Sequence, residues 1–337
     1  MDHAINKFVV QIHETDENHP SRSNRQTGTM TAPPAADRRP RLAVAGAAGH
    51  DLIYRVDAFP ARGSKTIAAD FASVGGGSAA NAAVAAQRLG AAVRLVCPLG
   101  DDMVGAMIAR DLAAEGIDLA AVVIAGGHSP VTTAIVEPDG ERTVLSWRTP
   151  GGPPPPILDP DGLAAGSDAV LADDRFLDFV EPLLAAARRR GRPAVLDGDR
   201  ADGLPPAALA WPSHAILSAA CLAATTGQRD PADGLRAAAR TTDAFLAVTL
   251  GARGVVWLDR AGTIRHLAAP AIAAVDTLGA GDVFHGAFAL ALAEERAEAE
   301  ALGFAAVAAA LKCRRFGGRA GAPTRAELDA FLQDRAD

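Results

Sequence analysis

The sequence predicts an α/β fold: a central, mainly parallel sheet with helices on both faces, plus a small β-sheet lid. Three observations lead there. Short apolar runs ("RLAVAG", "AVRLVCPLG", "DAVLADDRF", "RPAVLDGD", "HAILSAA", "AFLAVTL") alternate with longer Ala-rich helical stretches, the pattern of a parallel sheet covered on both sides. One segment, "VTTAIVEPDGERTVLSW", breaks the rhythm as two alternating strands joined by a turn at "PDGE". The chain of 337 residues is also long enough to bury one large core without disulfides.

Residues 1–40 are polar and proline-rich with one short apolar patch, Phe8 to Ile12, and are expected to form a disordered arm. Met30 opens a shorter, more ordinary start, so the residues before it are candidates for a vector-derived or wrongly assigned N-terminus. One domain is expected over 41–337. "RLAVAGAAGHD" reads as a buried strand running into a loop, and "GSKTIAADFASV" alternates like a half-exposed strand. "SAANAAVAAQRLG" is a helix with a glycine stop, "AVRLVCPLG" a buried strand, and "DDMVGAMIARDLAAEGI" a helix behind an acidic cap. The hairpin and the "KTIAADF" strand would form the lid, about 52–74 and 130–148, over a site on the large sheet. "PGGPPPP" at 150–156 is a stiff connector. A helical region from Ala280 to Leu311 closes the chain.

A net charge of −7 argues against a nucleic-acid binder, which usually presents a basic face. No apolar run has transmembrane length and the N-terminus lacks a signal-peptide pattern, so no membrane partner is expected and the location is expected to be cytoplasmic. Cys97, Cys221 and Cys313 are widely spaced in apolar surroundings and read as free thiols.

Ligands in such sheets bind beyond the carboxyl ends of the strands, which here carry Asp51, Asp173, Arg175, Asp197, Asp199 and Gly251. The stretch "DTLGAGDVFHGAF" adds a glycine-rich turn at a helix start. Unpaired amides there can converge on an anion, so Gly279, Ala280 and Gly281 could cradle a phosphoryl group while Asp282 takes a proton from an incoming hydroxyl. The plainer alternative is an aspartate that only caps a helix. "GSKT" at 63–66 imitates the end of a P-loop but lacks its spacing.

"DTLGAGDVFHGAF" and "VGGGSAANAAVAAQRLG" together resemble the two signatures of the ribokinase-like (PfkB) family of carbohydrate kinases, in that family's order and separation. The resemblance spans about residues 41–335. It implies a ribokinase-like fold, Asp282 as catalytic base and the amides of Gly279 to Gly281 as anion hole. It also implies sugar contacts from Asp51, Gly76, Gly77 and Asn81. For ATP it implies contacts in "VTLGARG", from Thr249, Gly251 and Gly254, extended to His285 and Lys312. Magnesium would be organised by Asp197 and Asp199, because "SAAC" at 218–221 stands where many members carry acidic groups. A monovalent cation, K+, is a further option near Asp276. Many members pair through the lid, which implies a homodimer.

The segments "VGGGSAA", "VLADDR", "VLDGD", "GDVFHGA" and "ALKCRRFGGRAGAP" resemble the branch of the family that phosphorylates 6-deoxy-6-sulfofructose in sulfoquinovose breakdown. The resemblance implies that Lys65 and Arg175 bind the sulfonate with Ser146 as a third contact, and that O1 is phosphorylated. An ammonium and a planar guanidinium suit a tetrahedral anion. The alternatives are a kinase for fructose 6-phosphate or tagatose 6-phosphate, a kinase for a neutral sugar or nucleoside, and a catalytically silent sugar-binding protein.

Overall fold

The computed structural model describes residues 38–124, 127–139, 141–147 and 153–334. The N-terminal arm up to 37 and residues 150–152 of the connector lie outside the described residues. From Arg39 onward the described chain is a single unit. Its central strand, β1 (Arg41–Ala45), pairs in parallel with β4 (Ala92–Gly100) on one side and β8 (Ala169–Asp173) on the other. Beyond β4 lies β5 (Asp118–Ile124), and beyond β8 follow β9 (Ala194–Gly198), β10 (His214–Ser218) and β11 (Phe245–Thr249), all parallel. Two antiparallel strands, β12 (Val255–Leu258) and β13 (Ile264–Leu267), finish that edge. The expected mainly parallel sheet is therefore present, with an antiparallel edge.

Both faces of β1 are dry because its side chains alternate into two cores. Leu42 and Val44 pack with helices α1 (Ser78–Arg88), α7 (Ala280–Ala293) and α8 (Glu298–Cys313). Ala43 and Ala45 pack on the other side with α4 (Leu177–Arg189) and α5 (Ala219–Thr226). The closing helical region consists of two helices, α7 and α8. The shorter helices α2 (Met103–Ala114), α3 (Pro160–Ala165), α6 (Pro231–Ala238) and α9 (Arg325–Gln333) complete the layers.

Small residues decide how closely α1 and α7 approach. Ala79 to Ala86 are all buried, and a methyl group on Gly286 of α7 would lie 2.2 Å from the Ala82 carbonyl oxygen. Backbone-to-backbone contact at this crossing brings Asn81, the residue before Ala82, against Asp282 on the first turn of α7. Packing of the two helices and assembly of the site are the same event.

The lid is a separate four-stranded sheet in the order β3 (Asp70–Gly76), β2 (Gly49–Arg55), β6 (Val131–Val136), β7 (Arg142–Trp147). Its inner face buries Ile53, Ala134 and Val136 against Leu278 and Phe316 of the large part. Its outer face leaves Phe71 and Leu145 exposed. Two expectations change here. Asp51 lies within a lid strand rather than in a loop after β1. Lys65 lies outside any strand, since β3 begins at Asp70, opposite Arg55, and the residues between have no ladder partner.

Candidate active site

A cleft of about 420 Å³ lies between the inner face of the lid and the carboxyl ends of the parallel strands. Its floor is the turn into α7. Gly279 adopts φ 77°, a left-handed conformation that glycine takes without strain, and thereby starts the helix. Ala280 donates its N–H back to the Thr277 carbonyl at 3.2 Å, leaving the amides of Gly279, Gly281 and Asp282 without a partner among the described residues. The free donors therefore differ by one position from the expected trio, because the turn itself consumes the Ala280 amide.

Asn81 Nδ2 donates to Asp282 Oδ2 at 2.7 Å, while Asn81 Oδ1 is buried without a partner among the described residues. Burial pushes the Asp282 carboxyl up to about 7; the Asn81 hydrogen bond opposes the shift and the charges of Asp199, Asp173 and Asp51 add to it. A carboxylate poised near neutrality, with one oxygen held and solvent still reaching the group, is suited to accept a proton.

Asp51 also lines the cleft, pushed up to about 6 by burial despite the opposing charge of Arg319 and the Thr132 hydroxyl. A methyl group on Gly76 would lie 2.1 Å from Asp51 Oδ1, so this glycine gives the carboxylate its room. Gly77, at φ 88°, lies against the Ala47 carbonyl oxygen, 2.6 Å from where a Cβ would stand. Gly77 and Asn81 line the cleft, as does Ser146, which lies 3.4 Å from the Thr132 hydroxyl.

Beneath these groups, Asp173 is fully buried. Its Oδ2 accepts from Ala47 N at 2.7 Å and Ala79 N at 3.0 Å, and its Oδ1 accepts from Arg175 N at 3.0 Å. One carboxylate thus ties the loop after β1, the start of α1 and the arginine loop together. Asp174 accepts in the same way from Asp199 N and Arg200 N. Asp197 is pushed well above the usual carboxylate range, by burial first and then by its acidic neighbours, beginning with Asp282.

His285 lines the cleft with its ring nitrogens facing the carbonyls of Gly281 at 2.7 Å and Ile216 at 3.2 Å, and Asp197 Oδ1 at 3.4 Å. Thr249 and Ser218 complete that end. Gly251 tops its turn at φ 59°, whereas Gly254 is required by packing: a Cβ there would meet the Leu267 carbonyl at 2.0 Å. Neither glycine is part of the cleft wall.

The cations divide. Arg175 lines the cleft, and its guanidinium makes no hydrogen bond or ion pair among the described residues. Lys65 is exposed and outside the cleft wall, on the unpaired loop. Lys312 is 0 % exposed and binds Asp276, so it cannot reach a nucleotide. Asp276 in turn spends its oxygens on Lys312 and on backbone amides. Arg142 on β7, not among the residues expected at the site, lines the cleft and donates to the Thr277 hydroxyl at 2.8 Å. Strand alternation places it on the same side as Ser146, which was the available signal.

A base at a helix start, free amides beside it and a lid above are the parts of a phosphotransferase acting on a small hydroxyl compound. The chain matches the model of the pfkB family carbohydrate kinases over residues 39–325 and belongs to that family; it is a carbohydrate kinase. It is 29 % identical over 314 residues to a ribokinase of Haemophilus influenzae, covering 88 % of this chain and 99 % of that one. It is 31 % identical over 304 residues to an ATP-dependent ribose-1-phosphate kinase of Halopiger xanaduensis, with the same coverage of 88 % and 99 %. A crystal structure of a provisionally assigned ribokinase from Agrobacterium tumefaciens superposes with a TM-score of 0.83 at 34 % identity, covering 89 % of this chain and 99 % of that one.

Proposed function

We propose that this kinase uses ATP to phosphorylate O1 of a ketohexose carrying an anionic group at C6, with 6-deoxy-6-sulfofructose as the first candidate. The observation that carries the substrate class is Arg175, on the cleft wall, whose guanidinium makes no hydrogen bond or ion pair among the described residues. Asp173, Asp174 and Asp202 feel its charge, but the donors of its fork are not taken by them, which favours a substrate that brings an anionic group to the fork. Arg142, on the lid side of the same cleft, adds positive potential.

In this reading Asp282 takes the O1 proton as that oxygen bonds to the γ-phosphorus, while the bond from phosphorus to the bridging oxygen breaks and ADP leaves. The amides of Gly279, Gly281 and Asp282 hold the transferred oxygens. Asp51 and Asn81 orient the sugar, and Thr249 and Ser218 face the nucleotide. Among the described residues no three histidine, cysteine or acidic side chains converge closely enough to ligate a metal. Asp197 and Asp199 both line the cleft, so a magnesium ion brought in on the ATP phosphates would be steadied by these two carboxylates. When bound, that ion neutralises phosphate charge.

Exposed Phe71 and Leu145 on the outer face of the lid support a homodimer through that sheet. No helix among the described residues is long and apolar enough to cross a membrane. The cytoplasmic location remains part of the proposal, supported by free Cys97, Cys221 and Cys313.

A neutral pentose is the second reading, favoured by the ribokinase names of the relatives and by the position of Lys65 outside the cleft. ADP release with sulfofructose, fructose 6-phosphate, tagatose 6-phosphate, fructose and ribose separates the two. The anionic reading requires the highest kcat/KM on a C6-charged ketose and a loss of about 10²-fold for Arg175→Ala, largely in KM. Preference for ribose, with Arg175→Ala indifferent, refutes it.

A further inference from the structure

The family resemblance raises a monovalent cation beside Asp276, and the residues present do not fit one. Lys312, on the last turn of α8, reaches Asp276 from inside the core: its Nζ lies 2.8 Å from the backbone oxygen and 3.2 Å from Oδ2. The same Oδ2 accepts from the amides of Gly317 and Gly318, both at 3.0 Å, and Oδ1 accepts from Leu278 N at 2.8 Å. The carbonyl of Cys313 accepts from Val275 N and Asp276 N. The oxygens that would ligate an alkali ion are thus spent, and an ion placed on them would touch a buried ammonium of the same charge.

We propose that Lys312 is a built-in replacement for that cation. Its ammonium fixes Asp276, and through the Leu278 amide the turn that supplies the anion hole, so the enzyme needs no alkali ion. Lys312 is a positioning residue: it touches neither sugar nor nucleotide. The proposal rests on the kinase assignment and is independent of which sugar is phosphorylated. Burial pulls the Lys312 ammonium below its ordinary range while its pairing with Asp276 opposes this, and the same pairing, with the amides, holds Asp276 below the usual carboxylate range against its own burial.

The test replaces K+ by tetramethylammonium at constant ionic strength, in the presence of Mg·ATP, and reads both turnover and melting temperature. The wild-type protein is expected to change less than about twofold in kcat and to show no saturable shift in melting temperature. Crystals soaked in thallium(I) should show no anomalous peak beside Asp276. Lys312→Met should lose about 10²-fold in kcat, melt lower, and regain part of both with K+ or ammonium. A saturable activation of the wild-type enzyme by K+, or a thallium peak at Asp276 in wild-type crystals, overturns the proposal. So does a folded Lys312→Met protein whose turnover and melting ignore added cations. Should that variant not fold, the two wild-type measurements decide alone.

Discussion

Replacing Asp282 by asparagine should make the protein more stable while removing its activity. The buried carboxyl is pushed from 3.8 up to about 7, whereas in the unfolded chain it titrates near its ordinary value. Between those values the folded state holds a proton that the unfolded state has released, so this group's contribution to stability falls as pH rises from about 4 to about 7 and is flat above. Some three units at about 1.4 kcal/mol each give an upper limit of about 4 kcal/mol. Asp282 keeps partial contact with solvent, which reduces this to about 2 kcal/mol. Asparagine escapes that cost, and the charge-assisted bond from Asn81 that it gives up is already counted within the shift. A gain of about 2 kcal/mol corresponds to a melting temperature higher by about 3 °C at pH 8. The assay is thermal and urea unfolding of both proteins without nucleotide at several pH values from 4 to 9, beside ADP release. The gap should widen up to pH 7 and then stay constant, with kcat lower by about 10²–10⁴-fold and ATP binding retained. A variant less stable than the parent at pH 8, or a gap independent of pH, refutes the account of Asp282 as a strained carboxylate; near-normal turnover removes it as the base.

Other substitutions test the supports. Asn81→Ala removes a side-chain donor to Asp282, so the acid limb of the kcat–pH profile should move alkaline by about one unit; an unmoved limb would show that the hydrogen bond is idle. Gly76→Ala puts a methyl group onto Asp51 Oδ1 and should raise the sugar KM by about 10²-fold while nucleotide affinity, read by calorimetry, stays within about twofold. Asp173→Ala strands three backbone amides and should cost about 2–4 kcal/mol in urea unfolding; a loss below about 0.5 kcal/mol would mean that water replaces the carboxylate without penalty.

Much of this architecture was legible because the information is local. Strand runs, the lid hairpin and the glycine turn before Asp282 each occupy a dozen residues, and their periodicity reports burial directly. What escaped depends on partners far apart in the chain. Asp173 read as one acidic strand end among several, yet its role is defined by amides 126 and 94 residues away. Lys312 and Asp276 lie 36 residues apart, and nothing in "ALKCRRFGG" announces that the ammonium points into the core. Asp51 was recognised without its strand, since "GHDLIYR" alternates too weakly to stand out from a loop. Lys65 was placed with the lid because "KTIAADF" alternates, but alternation alone does not supply a ladder partner.

The lid leaves and re-enters the large part at only a few roots, and two of them, the backbone at Ala47 and at Ala79, hang from the single carboxylate of Asp173. This part of the anchorage runs through main-chain amides and is indifferent to the side chains at those two positions. Residues between β2 and β3 can therefore vary without loosening the joint, whereas the β6–β7 hairpin is answerable to the floor, through Arg142 on Thr277 and Val136 against Leu278.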